Sequence, residues 1–522
     1  MHNWLCNAII ATALGVASAA LFAQVLNVDV TGGKVQGSAA DGVSAFLGIP
    51  FAAPPIGDNR WREPQAIQPW EGVRKADAFA PSCMQAANMI AMMGAPPGMS
   101  EDCLYLNVWT PAKAASERLP VMVWIYGGAF SAGMTSSPTY VGTRLAQQGV
   151  VLVSVAYRVG PFGFLAHPDL SRESGHGSGN YGLLDQIAGL KWVRDNIAAF
   201  GGDPGNVTIF GESAGGIAVS MLAASPQARG LYHKAISESG SSFAPLRHGN
   251  EASTNVPPLA VAEKTGAEFL EKLGVKDIAA GRALSAEQIQ GALGPGLGGG
   301  FWPVADSHVI LDDQYLLYES GQFNDTPILV GTNSDEGALF ARPGVTAASF
   351  AEQIRAGYGE AAETILAAFP HTSDAEAAES SQDIFRDGVF AWGTWAWARL
   401  QTEQGKHKAF IYYFDHRTPQ SPNGANHAAE IGYVFRTFDA RGGAPRPEDL
   451  KMSDLISSYW VNFARIGDPN GAGLPVWPAF DAKEQQAMIF DANPGARSLP
   501  NLDKLRAFDE YFTWLRAEAK SR

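Results

Sequence analysis

The chain has 522 residues, of which 46% are hydrophobic and 17% charged, enough apolar content for a large packed core and too much for disorder. A formal net charge of −14 argues against nucleic acid or an anionic membrane as partner. Length alone suggests about three domains, but motifs interleave along nearly the whole chain and point instead to one domain over 24–522 behind a leader at 1–23.

That leader is an apolar stretch, Ala8 to Ala17, followed by small residues through Ala23, the pattern of a secretory signal with cleavage between Ala20 and Ala23. It is too short to span a bilayer, and no later stretch reaches the required length. The expected location is therefore secreted or periplasmic. Cys6 would leave with the leader, and the even remainder, Cys83 and Cys103, favours a disulfide in an exported chain. Leu119–Tyr126 and Val150–Tyr157 read as buried strands. Leu183–Val193 has helical spacing of Leu184, Ile187, Leu190 and Trp192. A further strand, Asn206–Phe210, is followed by Gly211-Glu212-Ser213-Ala214-Gly215, a compact helix pattern from Gly216, and another strand at Lys234–Ser239. Alternating elements with near-continuous apolar strands predict a mostly parallel sheet covered on both faces. From Pro257 the pattern turns to polar helices and the run Gly294–Gly300, which lacks the strand-before, helix-after setting of a dinucleotide loop and reads as a flexible surface loop. Strands resume at Pro327–Val330 and Ala409–Phe414. Between them Phe385, Phe390, Trp392 and Trp395 form a stripe read as core. An amphipathic helix, Leu505–Leu515, closes the chain. No Cys/His cluster has zinc-ligand spacing, so neither a metal nor a cofactor is expected.

Strand, tight turn and helix around Ser213 are what a Gly-x-Ser-x-Gly nucleophile elbow requires. The two glycines let backbone pass close, and the serine is held proud of the sheet edge. A serine hydroxyl is a weak nucleophile at neutral pH and needs a base, which in turn needs an orienting acid. Sheets of this kind present the three in chain order serine, acid, histidine. Ten histidines compete for the base, and spacing does not choose among them.

Further motifs choose. Gly48-Ile49-Pro50-Phe51-Ala52-Ala53-Pro54-Pro55, Glu101–Trp109, Asn180–Gln186, Phe200-Gly201-Gly202-Asp203-Pro204, Gly467-Asp468-Pro469-Asn470 and Trp477-Pro478 lie in order about the elbow. Together they resemble the type-B carboxylesterases, the group that includes cholinesterases and bacterial para-nitrobenzyl esterases, from about Gly48 to Phe480. The resemblance implies an α/β-hydrolase fold, with helices on both faces of a mostly parallel central sheet and helical insertions. It also implies a serine carboxylesterase acting on small-molecule esters through an acyl-enzyme.

By the same resemblance Ser213 is the nucleophile, Glu336 in Gly331-Thr332-Asn333-Ser334-Asp335-Glu336-Gly337 the acid, and His427 in Asn426-His427-Ala428-Ala429-Glu430 the base. Asp335 is read as capping or bracing its turn, and Glu212, Ser239 and Glu430 as a surrounding shell. Unmatched histidines such as His308 and His416 are read as surface or packing. Tyr126-Gly127-Gly128-Ala129-Phe130 resembles the oxyanion loop, which makes the amides of Gly128, Ala129 and Ala214 its donors. Alanine stands where the family often has glycine at both 129 and 428. Cys83 and Cys103 match a family disulfide near the gorge. Between them lie Met84, Met89, Met92, Met93 and Met99 but no aromatic residue, so a cation–π platform is missing from this loop and neutral esters are favoured over choline esters. Trp302 matches a segment near the acyl side, with plain core packing as the other reading. Activity is expected to fall at acid pH as a histidine near pKa 6.5 protonates. Two alternatives stand beside this reading. A specialised hydrolase of lactones, polyesters or phenolic esters would use the same three residues. A non-catalytic adhesion-type member is disfavoured by the presence of all three.

Overall fold

The computed structural model describes residues 24–86, 98–247, 255–293, 300–439 and 445–521. The leader at 1–23, most of the glycine run (294–299), and Met89, Met92 and Met93 lie outside them.

Eleven strands form one sheet: β1 Ser38–Ala40, β2 Val43–Pro50, β3 Tyr105–Thr110, β4 Leu119–Ile125, β5 Val151–Val155, β6 Gly202–Glu212, β7 Lys234–Glu238, β8 Ile328–Asn333, β9 Ala409–Phe414, β10 Gln486–Phe490 and β11 Gly495–Ser498. Their order across the sheet is β11-β10-β9-β8-β7-β6-β4-β5-β3-β2-β1. The block from β10 to β5 is parallel throughout. The strands added at either edge pair antiparallel. Every side chain of β4 from Val121 to Ile125 is 0–1% exposed, so both faces of the central sheet are covered, which is why these strands read as unbroken apolar runs.

The expected elements are present with their ends moved by a few residues. The helix read at Leu183–Val193 spans α1, Tyr181–Asn196, and the one after the elbow spans α2, Ala214–Ala224. In α1 Gly189 permits contact with the sheet, since a Cβ there would lie 2.6 Å from Val155 Cγ1. The aromatic stripe proves to span three elements, the helix Asp374–Phe385, a π-helical turn at Arg386–Ala391 and α3, Trp392–Gln404. Helix α4, Pro447–Ile466, packs Trp460 under the sheet, where its indole N–H donates to Glu238 (2.7 Å). The closing helix α5 runs from Leu502 to Ser521. A small outer sheet of Asn27–Val30, Gly33–Gln36 and Val73–Lys75, not anticipated from the sequence, precedes and flanks the main one.

Candidate active site

The carboxyl ends of β6, β8 and β4 converge on one point. At the end of β6, Ser213 adopts φ 54°, ψ −125°, a conformation that side-chain-bearing residues rarely hold and that costs of order 1–3 kcal/mol. The turn survives because its neighbours are glycines. A Cβ at Gly215 would sit 2.0 Å from the Ile125 carbonyl oxygen, and one at Gly211 2.6 Å from the Gly215 backbone. The Ser213 amide donates to the Glu238 carbonyl (2.9 Å), and its own carbonyl accepts from Ile217 in α2 (2.8 Å). Ser213 is therefore pinned between β7 and α2 by its backbone, with its side chain left free.

Beyond β8 the chain turns through Asp335 into a short 3-10 turn, Glu336–Phe340. Glu336 is fully buried. One carboxylate oxygen accepts from the Ser239 hydroxyl (2.5 Å) and the Asn333 amide (2.8 Å), and the other faces His427 Nδ1 at 2.5 Å. An ionised carboxylate only accepts, so Nδ1 carries a proton and donates it to Glu336. Asp335 braces its turn with its amide, which donates to the Ala425 carbonyl (2.9 Å); its side chain makes no cap.

Asn333, assigned no role by the sequence reading, links Glu336 to the His427 segment. Its side-chain amide donates to the Asn426 carbonyl beside His427 (2.9 Å) and to Glu430 (2.6 Å). Its place three residues before Glu336 was the available signal. Glu430 also accepts from the Tyr412 hydroxyl (3.3 Å). Ala428 has φ 66° in the left-handed region, which explains why glycine is common at that position in the family it resembles.

The second nitrogen of His427 lies 3.2 Å from Glu212, and among the described residues no hydrogen bond joins it to Ser213. Burial opposes protonation of His427, but the charges of Glu212 and Glu336 and the hydrogen bond to Glu336 outweigh it and push the imidazole up to about 10. Burial likewise raises the carboxyls around it, Glu212 to about 8, Glu430 to about 7, and Glu238 well above its ordinary value. This crowding of carboxyls favours the protonated imidazole more than in an isolated histidine.

Across from His427 the loop after β4 carries three successive left-handed residues, Gly128 (φ 115°), Ala129 (φ 53°) and Phe130 (φ 53°). Among the described residues no protein acceptor takes the amides of Gly128, Ala129 or Ala214, so all three remain available to a ligand. Gly128 offers its carbonyl to Ser131 and Ala132, which curls the loop. Phe130 is buried and packs edge-on against Trp302 at 4.8 Å, so Trp302 touches the loop itself.

The sulfurs of Cys83 and Cys103 are bonded. Gln85, two residues on, brackets the Gly133 backbone with its amide (2.7 and 2.8 Å), tying the cysteine loop to the end of the Gly128 loop. Met84 is buried and Met99 exposed.

The aromatic stripe needs a correction. Trp392 and Trp395 are core, but the π-helical turn directs Phe390 onto the imidazole of His427, stacked at 4.8 Å and 21°. Phe385 packs against Phe390, and Phe340 stacks on Phe385 at 4.2 Å. A π-turn inserts a residue into the helical register and recurs at functional sites; the period-3.6 reading of this segment could not detect it.

Comparison with known proteins identifies the family. Residues 24–507 match the Carboxylesterase family. The chain is 36% identical over 483 residues to the fumonisin B1 esterase of Sphingopyxis macrogoltabida, covering 89% of this chain and 86% of that protein. It is 35% identical over 500 residues to the para-nitrobenzyl esterase of Bacillus subtilis (strain 168), covering 90% and 96%. A solved structure of PNB esterase superposes with a TM-score of 0.80 at 35% identity, over 93% of this chain and all of the other. The chain belongs to the carboxylesterase family.

Proposed function

We propose that this carboxylesterase cleaves neutral esters with Ser213 as nucleophile, His427 as general base and Glu336 as the acid that orients it. The amides of Gly128, Ala129 and Ala214 receive the oxyanion. The observation that carries the reading is the 2.5 Å contact of His427 Nδ1 with a fully buried Glu336, beside a serine held in an elbow conformation. With Nδ1 committed to Glu336, Nε2 takes the Ser213 proton as the hydroxyl oxygen attacks the ester carbon. Negative charge then develops on the carbonyl oxygen, where free amides stabilise it more than they do the ground state. Collapse expels the alcohol, which takes the proton from His427. Water repeats the sequence on the acyl-enzyme and releases the acid.

The rings of Phe340 and Phe390 border His427, with Phe385 packed behind them, and Trp302 packs on Phe130 of the oxyanion loop. Both sides of the scissile bond are therefore apolar, which suits neutral acyl and alcohol groups. An apolar wall discriminates a methylene by only about 1–3 kcal/mol, so a broad range of short esters is accepted. Export, as secreted or periplasmic protein with 24–522 as one domain, rests on the apolar leader and the disulfide. No helix among the described residues is long and apolar enough to cross a membrane.

The test compares kcat/KM for nitrophenyl butyrate, butyrylcholine and the neutral carbon isostere of butyrylcholine, in the native chain and in Ser213→Ala. The nitrophenyl ester should be cleaved well, choline should gain nothing over its isostere, and Ser213→Ala should abolish all three. Retained turnover in Ser213→Ala overturns the nucleophile; a tenfold preference for choline overturns the neutral-ester assignment.

A further inference from the structure

A second cleft, of about 490 Å³, is lined by Trp61, Leu170, Glu173, His176, Tyr181 and Asp306 and by none of the residues assigned to ester cleavage. Three loops meet at it. Glu63 follows Arg62, whose guanidinium is held by Glu173 (2.6 Å). His176 lies just past the helix Pro168–Ser174, and its amide donates to the Ser174 hydroxyl (3.2 Å). His308 sits in a turn organised by the buried Asp306, one of whose carboxylate oxygens accepts from the amides of His308, Val309 and Ile310 at 2.8–3.0 Å. The second and third loops touch closely, since a Cβ at Gly177 would lie 2.7 Å from the Asp306 carbonyl oxygen.

Glu63, His176 and His308 bring one donor atom each to within 4.8 Å of one another. His176 Nε2 is 3.0 Å from the Glu63 carboxylate, and the two imidazoles stack with centroids 3.8 Å apart and 17° between planes. His176 Nδ1 lies 3.1 Å from the Gly177 carbonyl. A carbonyl only accepts, so Nδ1 carries the hydrogen and Nε2 is the nitrogen turned to Glu63. Metal-bound histidines use this same arrangement to fix tautomer and ring direction. Side chains 31% and 43% exposed, for His176 and Glu63, leave the point within reach of a solvated ion.

We propose that Glu63, His176 and His308 form a binding site for a divalent transition-metal ion of the zinc type. Two imidazoles and one carboxylate are the borderline donors that zinc takes at about 2.0–2.2 Å, whereas calcium and magnesium prefer all-oxygen sets. A tetrahedral ion at those distances needs donors about 3.3–3.6 Å apart. Coordination therefore asks the His308 ring to turn out of its stack about Cβ–Cγ, while His176 and Glu63 stay close to where they are. Bound, the ion ties together three loops separated by more than a hundred residues in sequence, and fourth and further positions open toward the cleft.

The test titrates zinc chloride alone into tag-free, chelator-treated protein by calorimetry, with thermal unfolding alongside. One ion per chain is expected, with a rise in Tm, and affinity should fall at least about tenfold in His308→Ala and in His176→Ala. Binding should persist in His427→Ala, which removes a histidine that faces carboxylates at both nitrogens. His308→Ala should keep its rate toward a nitrophenyl ester, which reports that it is folded; if His176→Ala is unfolded, Glu63→Gln replaces it. No saturable binding overturns the site. So does binding that survives the loop substitutions, or that is lost in His427→Ala alone.

Discussion

Glu336 is gripped by donors from three separate segments, Ser239, Asn333 and His427, while the Gly128–Phe130 loop opposite it takes its shape chiefly from left-handed backbone. On the first side, charge and hydrogen bonds set the position of each atom, and burial makes every unpaired carboxyl expensive. On the second, Gly127, Gly211 and Gly215 allow chains to approach closer than any side chain permits, and left-handed residues curl the loop so that its amides stay free. The acid–base half is thus sensitive to the loss of a polar atom, and the nucleophile–oxyanion half to the gain of a carbon.

Removing polar atoms from the first half gives the largest expected effect. His427→Ala should lower kcat/KM for a nitrophenyl ester by roughly 10⁴-fold or more, and Glu336→Gln by roughly 10³–10⁴-fold, since residues that act as a unit do not lose activity additively. Asp335→Asn, in the adjacent residue whose side chain makes no cap, should cost under about tenfold. Equal losses at 335 and 336 would break the assignment of the acid.

Adding a carbon to the second half should be felt first in stability. Gly215→Ala places a methyl group 2.0 Å from the Ile125 carbonyl oxygen, and a loss of about 3 kcal/mol in urea unfolding is expected. An unchanged midpoint would show that the elbow can open and that glycine is not required there.

Glu212 sits where the halves meet, one residue before Ser213 and facing His427 Nε2. Its negative charge favours the protonated imidazole, and only the unprotonated form can accept the Ser213 proton. Activity should therefore rise with pH through a limb lying above 6.5. Glu212→Gln removes the charge and should move that limb down by about 1 unit. A limb that stays in place would mean Glu336 alone sets the basicity of His427.

The smallest expected effect concerns strain that both halves carry. Ala129 and Ala428 hold φ 53° and 66°, where an L side chain costs about 1–2 kcal/mol. Replacing either with glycine relieves that cost but adds freedom to the unfolded chain, for a net gain of about 1 kcal/mol or less. Destabilisation by Ala428→Gly, measured by urea unfolding, would show that its methyl group makes contacts worth more than the strain.

Strand periodicity and the flanks of Ser213 were enough to place the parallel sheet and the elbow, because both are local. A buried parallel strand must be apolar on both faces, and a sharp strand–helix turn must have glycines where backbone crosses backbone. Glu336 and His427 were singled out only by resemblance, since the contact between them spans 91 residues and no local rule selects one histidine of ten. Tertiary structure alone decided that Phe390 leaves the core stripe to lie on His427, because a single π-turn rotates the helix beneath it. It alone gathered Glu212, Glu238 and Glu430 into one buried carboxyl cluster, and set His176 against His308 beside Glu63. Periodicity records which face of an element is apolar; which distant loop that face meets is fixed only when the sheet brings the loops to a common edge.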